Sequence, residues 1–366
     1  MLNGNVLIIN TGSTSTKLGY YADGKKVLVE NITHTKSELE KFNSVMEQIS
    51  FRKNAITEFL LFKSISLEDV DIIMARGGLL YSINSGIYEI NEVMKSALIN
   101  KGGVMHSCNL SALIADDLRA EIINLNPSLS VRAFIADAPT SDEMSDVARL
   151  LGLPDIQRRS SYHALNSKAM VRRYAKENNI KISEINVIVA HLGGGTSISL
   201  HSKGLVIDVT DAVEGEGPIS PDRVGSLPTT PLIELCFSGK YTKEELNSLL
   251  FQRGGAIAYF NTNDFKELIE RSAEDERIYK FLEAYCLSIS KYIASLTANV
   301  NGDIQAIILT GGIAYSDYIV DKIFARIGFL APVLVYPGEN EIEALAENGY
   351  GILSGDITNF PIKTMQ

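Results

Sequence analysis

A short pattern of strand, small-residue turn and strand occurs twice in this chain and limits the possible folds more than any other feature. The first copy, NVLIINTGSTSTKLGYY, starts at Asn5, and the second copy, NVIVAHLGGGTSISLHS, starts at Asn186. In both, an apolar run stops at a polar residue and alternation resumes after Gly, Ser or Thr, which is typical of a hairpin. Two matching hairpins near the starts of similar halves predict duplication of one domain, with both tips facing a shared cleft.

The hairpin tips suit the binding of an anion. Aligning Asn10 with His191 places Ser15 on Thr196 and superimposes the small residues of the two turns. Glycine lets the backbone approach a ligand closely or take positive φ, and consecutive amides in such a turn form an anion-binding concavity. Two ordinary tight hairpins would give the same pattern, so either copy alone is a weak signal.

Strand-like and helix-like segments alternate along the chain, which predicts an α/β fold with mixed sheets. The strand-like runs are Val6–Asn10, Asp71–Met74, Val131–Ala136, Val187–His191, Ser197–Leu200, Ala306–Thr310 and Val333–Tyr336. The clearest helix is predicted over 282–300, and capping-box patterns at Ser37 and Thr242 predict two helix starts. A third glycine turn, Gly311-Gly312, follows the run AIILT. No P-loop sequence occurs, and no G-x-G-x-x-G follows a strand, so an ATP site would be of another kind.

Composition excludes several classes of protein. The chain has 366 residues and a net charge of −10, which argues against nucleic acid as a partner because such proteins present a basic face. No run approaches the roughly 18 apolar residues of a membrane helix, and the start lacks a basic segment, so we expect neither a membrane span nor a secretory signal. Three cysteines without metal-ligand spacing and five histidines predict a reduced, cytoplasmic protein without a zinc site.

A series of segments, in the same order, resembles the acetate and butyrate kinase family of the sugar kinase, Hsp70 and actin superfamily. They are NTGSTSTKL, ARGG, MHSCNLSAL, FIADAPTSDEM, RRSSYHALNSK, HLGGGTSI, EGEGPISPDRVGSLP, NTNDFKEL, LTGGIAYS and YPGENEIEALA. Arg-Gly-Gly at 76–78, the EGEGPISPDRVGSLP segment and the shorter chain favour the butyrate or branched-chain branch over acetate kinase. The resemblance implies two duplicated actin-like (ribonuclease H-like) domains, with mixed sheets flanked by helices and an inter-domain cleft.

The resemblance also implies a domain organisation. The first domain would comprise 1–158 and a returning C-terminal helix within 342–366. The second domain would comprise 159–341 and bind the nucleotide. The family forms homodimers through the second domain and sometimes larger assemblies, so we expect a homodimer or a higher homo-oligomer.

The implied reaction is ATP + butyrate ⇌ ADP + acyl phosphate, with Mg²⁺ and with a branched acid such as isobutyrate as another substrate. A carboxylate is ionised at pH 7, so no general base is needed, and catalysis consists of alignment and neutralisation of negative charge. Acetate or propionate is the alternative acid within the family. A more distant alternative is an alcohol or sugar kinase of the same fold, in which Asp137 would serve as the base.

The resemblance implies four catalytic residues. Arg223 would hold the carboxylate and the transferring phosphoryl group, for which a planar guanidinium is suited. Arg76 stands near, but not at, the position of the family's other substrate arginine, and it would either supply that cation or only anchor a turn. His163 would donate a hydrogen bond to a phosphoryl oxygen. Asp137 would tune the metal, orient the attacking group, or cap a helix over 141–151.

Further residues are implied for the metal and the nucleotide. Asn10 and Glu341 would hold Mg²⁺ through water, since this ion keeps much of its hydration shell, although the neighbouring Glu339 is an alternative. Lys17 would face either the phosphates or solvent. The residues expected to contact ATP or ADP are Asn10, Ser13, Ser15, Lys17, His191, Gly193, Gly194, Gly195, Asp264, Lys266, Gly311 and Gly312.

Overall fold

The computed structural model of the protein describes residues 3–100, 106–356 and 360–366. The chain forms two compact units, which we call the first unit (Met1–Ser141 with Asn340–Gln366) and the second unit (Asp142–Glu339). Each unit is built on one sheet with helices packed on it, so the predicted α/β fold is confirmed.

The first boundary between the units differs from the predicted one. It falls after Ser141 rather than after 158, because the intervening segment packs on strands of the second unit. The Ser145 N–H donates to the Ile207 carbonyl at 2.9 Å, and Arg158 Nη1 lies 2.7 Å from an Asp208 carboxylate oxygen. The second boundary lies close to the predicted position.

The two sheets account for all the assigned strands. The strands are β1 (Asn5–Thr11), β2 (Ser15–Ala22), β3 (Lys25–Thr33), β4 (Ile72–Arg76), β5 (Ile87–Glu89), β6 (Arg132–Ala136), β7 (Asn186–Leu192), β8 (Thr196–Ser202), β9 (Leu205–Val209), β10 (Ala306–Gly311), β11 (Val333–Pro337) and β12 (Ile362–Lys363). The first unit has the order β12-β5-β6-β4-β1-β2-β3, and the second has the order β11-β10-β7-β8-β9.

Helices connect and cover these strands. The α-helices are α1 (Lys36–Leu39), α2 (Gln48–Phe62), α3 (Glu92–Asn100), α4 (Asn109–Leu125), α5 (Asp146–Arg149), α6 (Ala164–Glu177), α7 (Thr229–Cys236), α8 (Lys243–Phe251), α9 (Gly255–Phe260), α10 (Phe265–Arg271), α11 (Glu276–Leu296), α12 (Asp317–Ile327) and α13 (Glu341–Leu353). Short 3₁₀ turns occur at Leu67–Asp69, Ile182–Glu184, Thr297–Val300 and Gly312–Tyr315. None of the helices in the described ranges is long and apolar enough to cross a membrane.

The two sheets repeat one topology, as the duplicated sequence pattern predicts. The antiparallel strands β1, β2 and β3 are extended by parallel β4 and β6, and β7, β8 and β9 are extended in the same way by β10 and β11. The last pair before the tip is Thr11 with Thr16 in the first copy and Leu192 with Thr196 in the second. The first tip is therefore one residue longer, and the alignment of Ser15 with Thr196 is wrong by one position.

Helices cover both faces of the first sheet. Leu7 and Ile9 of β1 join the apolar cluster that includes α4, whereas Val6, on the alternate face, meets α13 at Gly349. A Cβ atom at Gly349 would lie 2.7 Å from a Val6 methyl carbon, so only glycine lets α13 approach this closely. This packing places Glu341, in the first turn of α13, next to the end of β1.

The core of the second unit depends on α11. The helix predicted over 282–300 begins earlier, at Glu276, and its last predicted turn is the 3₁₀ segment that ends at Val300. Its buried apolar face packs on β7 and β8 and holds the hairpin of the second unit in place.

Candidate active site

Asn10, Arg76 and Glu341 lie together in the first unit. Asn10 is near the end of β1, Arg76 ends β4, and Glu341 begins α13. Asn10 Nδ2 donates to Glu341 Oε2 at 2.6 Å, and Arg76 Nη2 lies 3.5 Å from Glu341 Oε1. The structure thus brings the predicted metal pair into contact with one predicted arginine, and Glu341 rather than Glu339 is the acid beside Asn10.

This group fits water-mediated binding of magnesium rather than a complete protein cage. Among the described residues, no cluster of three or more His, Cys, Asp or Glu is arranged to hold a metal ion. Glu341 and Asn10 together supply few oxygens, and Mg²⁺ normally keeps several waters and takes the rest of its ligands from phosphates. The pair therefore suits an ion that arrives with the nucleotide.

Asp137 shares this edge of the first sheet. Asn10, Arg76 and Asp137 lie at or just beyond the carboxyl ends of the adjacent parallel strands β1, β4 and β6, the usual location of α/β sites. Asp137 is buried and has a φ of 42°, and its Oδ1 accepts from the Gly86 N–H at 2.9 Å. The helix-capping alternative is wrong, because the helix in that stretch is the short α5, which is capped by Ser145.

Ser13 and Ser15 lie on the first hairpin tip. Ser13 and Thr14 are exposed, and their backbone N–H groups donate no hydrogen bond within the described ranges. Lys17 is exposed on β2 and pairs with Asn10 across the ladder. Because directly opposite residues project from the same face of a sheet, Lys17 lies on the side of Asn10. The tip therefore presents donors and one cation to a ligand.

His163 and His191 form a stacked pair in the second unit, with ring centroids 3.7 Å apart and planes at 6°. His163 immediately precedes α6, and its Nδ1 lies 2.9 Å from Ser197 Oγ. Asn166 Nδ2 lies 2.9 Å from His191 Nδ1, and because an amide nitrogen only donates, this Nδ1 accepts and Nε2 carries the hydrogen. His191 Nε2 is buried without a hydrogen-bond partner among the described residues, with Glu339 Oε1 at 3.7 Å. A phosphate oxygen would satisfy this donor.

Arg223 packs directly against the second hairpin tip. A Cβ atom at Gly195 would lie 2.0 Å from Arg223 Nη1, and a Cβ atom at Gly194 would lie 3.2 Å from Asp222 Oδ2. The tip glycines have no positive φ, so they are needed for close approach rather than for backbone conformation. Arg223 Nη1 lies 3.3 Å from Asp222 Oδ1, and its buried Nε has no partner among the described residues. Burial raises the pKa of Asp222, and the charge of Arg223 opposes that shift.

A cavity of about 780 Å³ in the second unit collects several of the predicted nucleotide contacts. Its lining includes Gly193, Gly194, Asn263, Asp264, Lys266, Ile269, Gly312, Ile313, Tyr315 and Glu339. Apolar side chains together with a few polar groups are typical of a cavity that takes a small organic ligand, and the volume suits a nucleotide.

Asp264, which lines this cavity, and Gly311, which precedes the lining residue Gly312, have clear structural roles. Asp264 caps α10, and its Oδ1 accepts from the N–H groups of Lys266 (2.9 Å) and Glu267 (3.2 Å). Gly311 has a φ of 89°, and a Cβ atom there would lie 2.4 Å from the Leu192 carbonyl oxygen. A Cβ atom at the next residue, Gly312, would meet nothing within 4 Å, so the backbone is open to a ligand there.

Comparison with known proteins identifies the family of the chain. The sequence model of the acetokinase family matches residues 147–349. Butyrate kinase 1 of Clostridium acetobutylicum is 42% identical over 354 residues, which cover 96% of this chain and 97% of that protein. The chain belongs to the acetokinase family.

Other comparisons agree with this family and with the fold. A probable butyrate kinase of Phocaeicola vulgatus is 43% identical over 353 residues, 96% of this chain and 97% of that protein. The crystal structure of acetate kinase from Entamoeba histolytica superimposes with a TM-score of 0.74 over 94% of this chain and 98% of that chain, at 17% identity, and shows the same fold. As an acetokinase-family member, the protein is a phosphotransferase with a carboxyl group as acceptor, and the predicted family is confirmed.

Three further residues of this acetokinase-family chain, which the sequence did not predict, hold candidate site groups of their own unit in place. Asn166 orients His191, Asp222 pairs with Arg223, and Arg52 of α2 binds the backbone of the first tip. Asp222 adjoins Arg223 in the sequence and could have been found there. Asn166 and Arg52 lie 25 and 40 positions from the groups that they contact, so no local pattern marks them.

Proposed function

We propose that the protein transfers a phosphoryl group from ATP to butyrate, or to a branched short-chain acid such as isobutyrate, and forms ADP and the acyl phosphate. Relatives named butyrate kinase, 42% and 43% identical over 96% of the chain, support this acid. The observation that carries the proposal is Arg223 packed on the glycine tip that borders the 780 Å³ cavity. A guanidinium with spare donors there binds an anionic acceptor and neutralises a phosphoryl group.

The second unit supplies the nucleotide site in this proposal. Adenosine occupies the cavity, with Asp264 and Lys266 near the ribose and the Gly311–Gly312 turn against the base. His191 donates its Nε2 hydrogen to a phosphate oxygen, and Gly193–Gly195 let the backbone close on the phosphates. His163, stacked on His191, donates a hydrogen bond to the transferring group.

The first unit supplies charge and alignment. Arg76 provides a second cation for the acid or the phosphoryl group, and Ser13, Ser15 and Lys17 contact phosphate oxygens. Asn10 and Glu341 would hold Mg²⁺ through its waters, and the bound ion would supply neutralisation of the phosphate charge. The acid is already ionised at pH 7, so no residue has to remove a proton from it.

The structure gives little support to an alcohol or sugar kinase. Such an enzyme needs a carboxylate free to accept the hydroxyl proton, and Asp137 is the candidate. This residue is only 4% exposed, and its Oδ1 already accepts from the Gly86 N–H at 2.9 Å. Asp137 therefore suits a positioning role better than that of a general base.

We also infer that the enzyme works in the cytoplasm and assembles as a homodimer or larger homo-oligomer through the second unit. All three cysteines, Cys108, Cys236 and Cys286, are free thiols, which fits a reducing compartment. Sedimentation of the purified protein measures the assembly, and a monomer at micromolar concentration would contradict this inference.

A kinetic panel tests the proposed function. The purified enzyme, MgATP and acids of two to five carbons are incubated with hydroxylamine, which traps any acyl phosphate as a hydroxamate. We expect butyrate and isobutyrate to give the highest kcat/KM, and Arg223→Lys to lower it with butyrate by about 10²-fold or more. A higher kcat/KM with acetate or propionate would replace butyrate as the acid, and no hydroxamate from any acid would refute the reaction.

A further inference from the structure

Arg52 is completely buried in the first unit, where it holds the backbone of the first hairpin tip from behind. Its side chain comes from α2 and is 0% exposed. Nη1 donates to the carbonyl oxygens of Gly12 and Ser15, and Nη2 donates to that of Ser13, all at 3.0 Å. Gln48 Oε1 accepts from Nε at 3.1 Å and from Nη2 at 3.0 Å, which fixes the plane of the guanidinium.

The charge of Arg52 is not balanced by an acidic side chain. All its hydrogen bonds end on neutral oxygens, and within the described ranges no carboxylate oxygen lies within 4.0 Å of the guanidinium. Burial lowers the pKa of Arg52 to about 10, so the group is still charged at pH 7. A buried charge without a counterion is costly, and such charges normally pair. A ligand anion at the tip would supply the missing negative charge.

The same hydrogen bonds set the direction of two backbone donors. In a trans peptide the carbonyl of one residue and the N–H of the next point in opposite directions. Since the carbonyls of Gly12 and Ser13 point to Arg52, the N–H groups of Ser13 and Thr14 point away from it, towards the exposed side of the tip. Neither N–H donates a hydrogen bond within the described residues. Two adjacent free donors of this kind form an anion-binding concavity.

We propose that Arg52 is a positioning residue for phosphate recognition by the first tip. It turns the Ser13 and Thr14 N–H groups outward, and its positive charge, held behind the tip, is balanced by the bound phosphate. The proposal rests on the proposed function only in taking a nucleotide polyphosphate as the ligand. It separates Arg52 from the residues that would touch the substrate, since Arg52 is completely buried behind the tip.

Substitution of Arg52 tests the role of its charge. Arg52→Gln keeps a polar side chain and removes the charge. Arg52→Lys keeps the charge but lacks the planar guanidinium group. Arg132→Gln is the control, because Arg132 is half-exposed and pairs with Glu89. We expect R52Q to weaken binding of ADP and of inorganic pyrophosphate by about 10- to 100-fold and to raise the KM for ATP without raising that for butyrate. R52K should recover part of the affinity, and R132Q should match the wild type.

The result that overturns the proposal is a folded R52Q protein that binds pyrophosphate and ADP as the wild type does. A measurement on the wild type keeps the test decisive if R52Q does not fold. Addition of pyrophosphate to protein labelled with ¹⁵N at Ser and Thr should shift the Ser13 and Thr14 amide protons downfield, and unchanged shifts at saturation would overturn the proposal. These binding tests need no acid substrate, so a failure of the kinase assay alone would refute the proposed function and leave the role of Arg52 standing.

Discussion

At the scale of single residues, the close contact between Gly195 and Arg223 gives a prediction about activity. We expect one methyl group added at Gly195 to lower kcat strongly. A Cβ atom at Gly195 would lie 2.0 Å from Arg223 Nη1 and 3.1 Å from the Ala212 carbonyl oxygen. The guanidinium end of a flexible side chain can move aside, so we expect Gly195→Ala to fold and to displace Arg223. The predicted loss in kcat is about 10²–10³-fold, similar to removal of one donor to a developing oxyanion.

The matched control is Gly152→Ala, because a Cβ atom at Gly152 meets nothing within 4 Å. Steady-state kinetics with butyrate and thermal unfolding of both variants separate an effect on activity from an effect on stability. If G195A kept wild-type kcat, the placement of Arg223 against the tip would not matter for transfer.

Asn166 allows a second residue-scale prediction, which concerns the tautomer of His191. The Asn166 amide donates to Nδ1 at 2.9 Å and thereby keeps the hydrogen on Nε2. In Asn166→Asp the carboxylate would accept from Nδ1–H, so neutral His191 would turn a lone pair on Nε2 towards the phosphates. That lone pair would repel the phosphate oxygens, so kcat/KM for ATP should fall by about tenfold or more.

Steady-state kinetics with ATP at one fixed pH measure this loss against the wild type, in which Nδ1 accepts from Asn166. Asn166→Leu is the control, since it removes the partner without reversing the tautomer. An unchanged kcat/KM in N166D would show that Asn166 does not select the tautomer.

The sequence marks the candidate ligand contacts but not the residues that hold those candidates in place. His191, Arg223 and Gly195 stand in short segments that resemble a family, whereas Asn166 and Arg52 act from other helices. An arginine in a helix normally has a solvated side chain. The burial of Arg52 depends on the position of the first tip, which only the folded chain defines.

At the scale of elements, the close packing of α13 on the first sheet links stability to the proposed metal site. A Cβ atom at Gly349 would lie 2.7 Å from Val6 Cγ1 and 3.1 Å from Met74 Cγ. Gly349→Ala should therefore push α13 away from β1 and lower the free energy of unfolding by about 1–3 kcal/mol. Glu341 would move away from Asn10, so the Mg²⁺ concentration that gives half-maximal activity should rise.

Urea unfolding and magnesium titration of the kinase activity measure the two effects of G349A. Glu343→Ala, on the exposed side of the same helix, is the control and should change stability by less than about 1 kcal/mol. Loss of stability with an unchanged magnesium requirement would argue against Glu341 as the residue that holds the ion.

Element boundaries were predictable where side chains mark them locally. The Thr242 pattern is a capping box and starts α8, as predicted. At Ser37 the prediction is wrong by two residues, because Thr35 is the cap and Glu38 its partner, and the resulting α1 has a single turn. The strand β3 was not predicted, because its apolar residues Val27, Leu28 and Val29 are consecutive and flanked by charged ones, and they show no alternation.

At the scale of the whole molecule, the duplicated hairpins predicted two sheets of one topology, but they could not place the boundary between the units. The segment from Asp142 to Arg158 belongs to the second unit through contacts with β9, such as that of Arg158 with Asp208. Those contacts join positions 50 residues apart, so neither composition nor spacing indicates them.

The division of the chain gives a prediction about which part binds the nucleotide. The second unit is one continuous segment, Asp142–Glu339, with its own sheet and apolar core, so we expect this fragment to fold alone. It contains the 780 Å³ cavity and His191, and it should bind ADP, more weakly than the full chain because Arg52 and the first tip are absent. It should form no acyl phosphate, since Asn10, Arg76 and Glu341 belong to the first unit.

Calorimetry with ADP and the hydroxamate assay test both parts of this prediction. Gly194→Leu in the fragment, which fills the cavity wall, should abolish binding, and a folded fragment without affinity for ADP would make the assignment of the nucleotide to the second unit wrong.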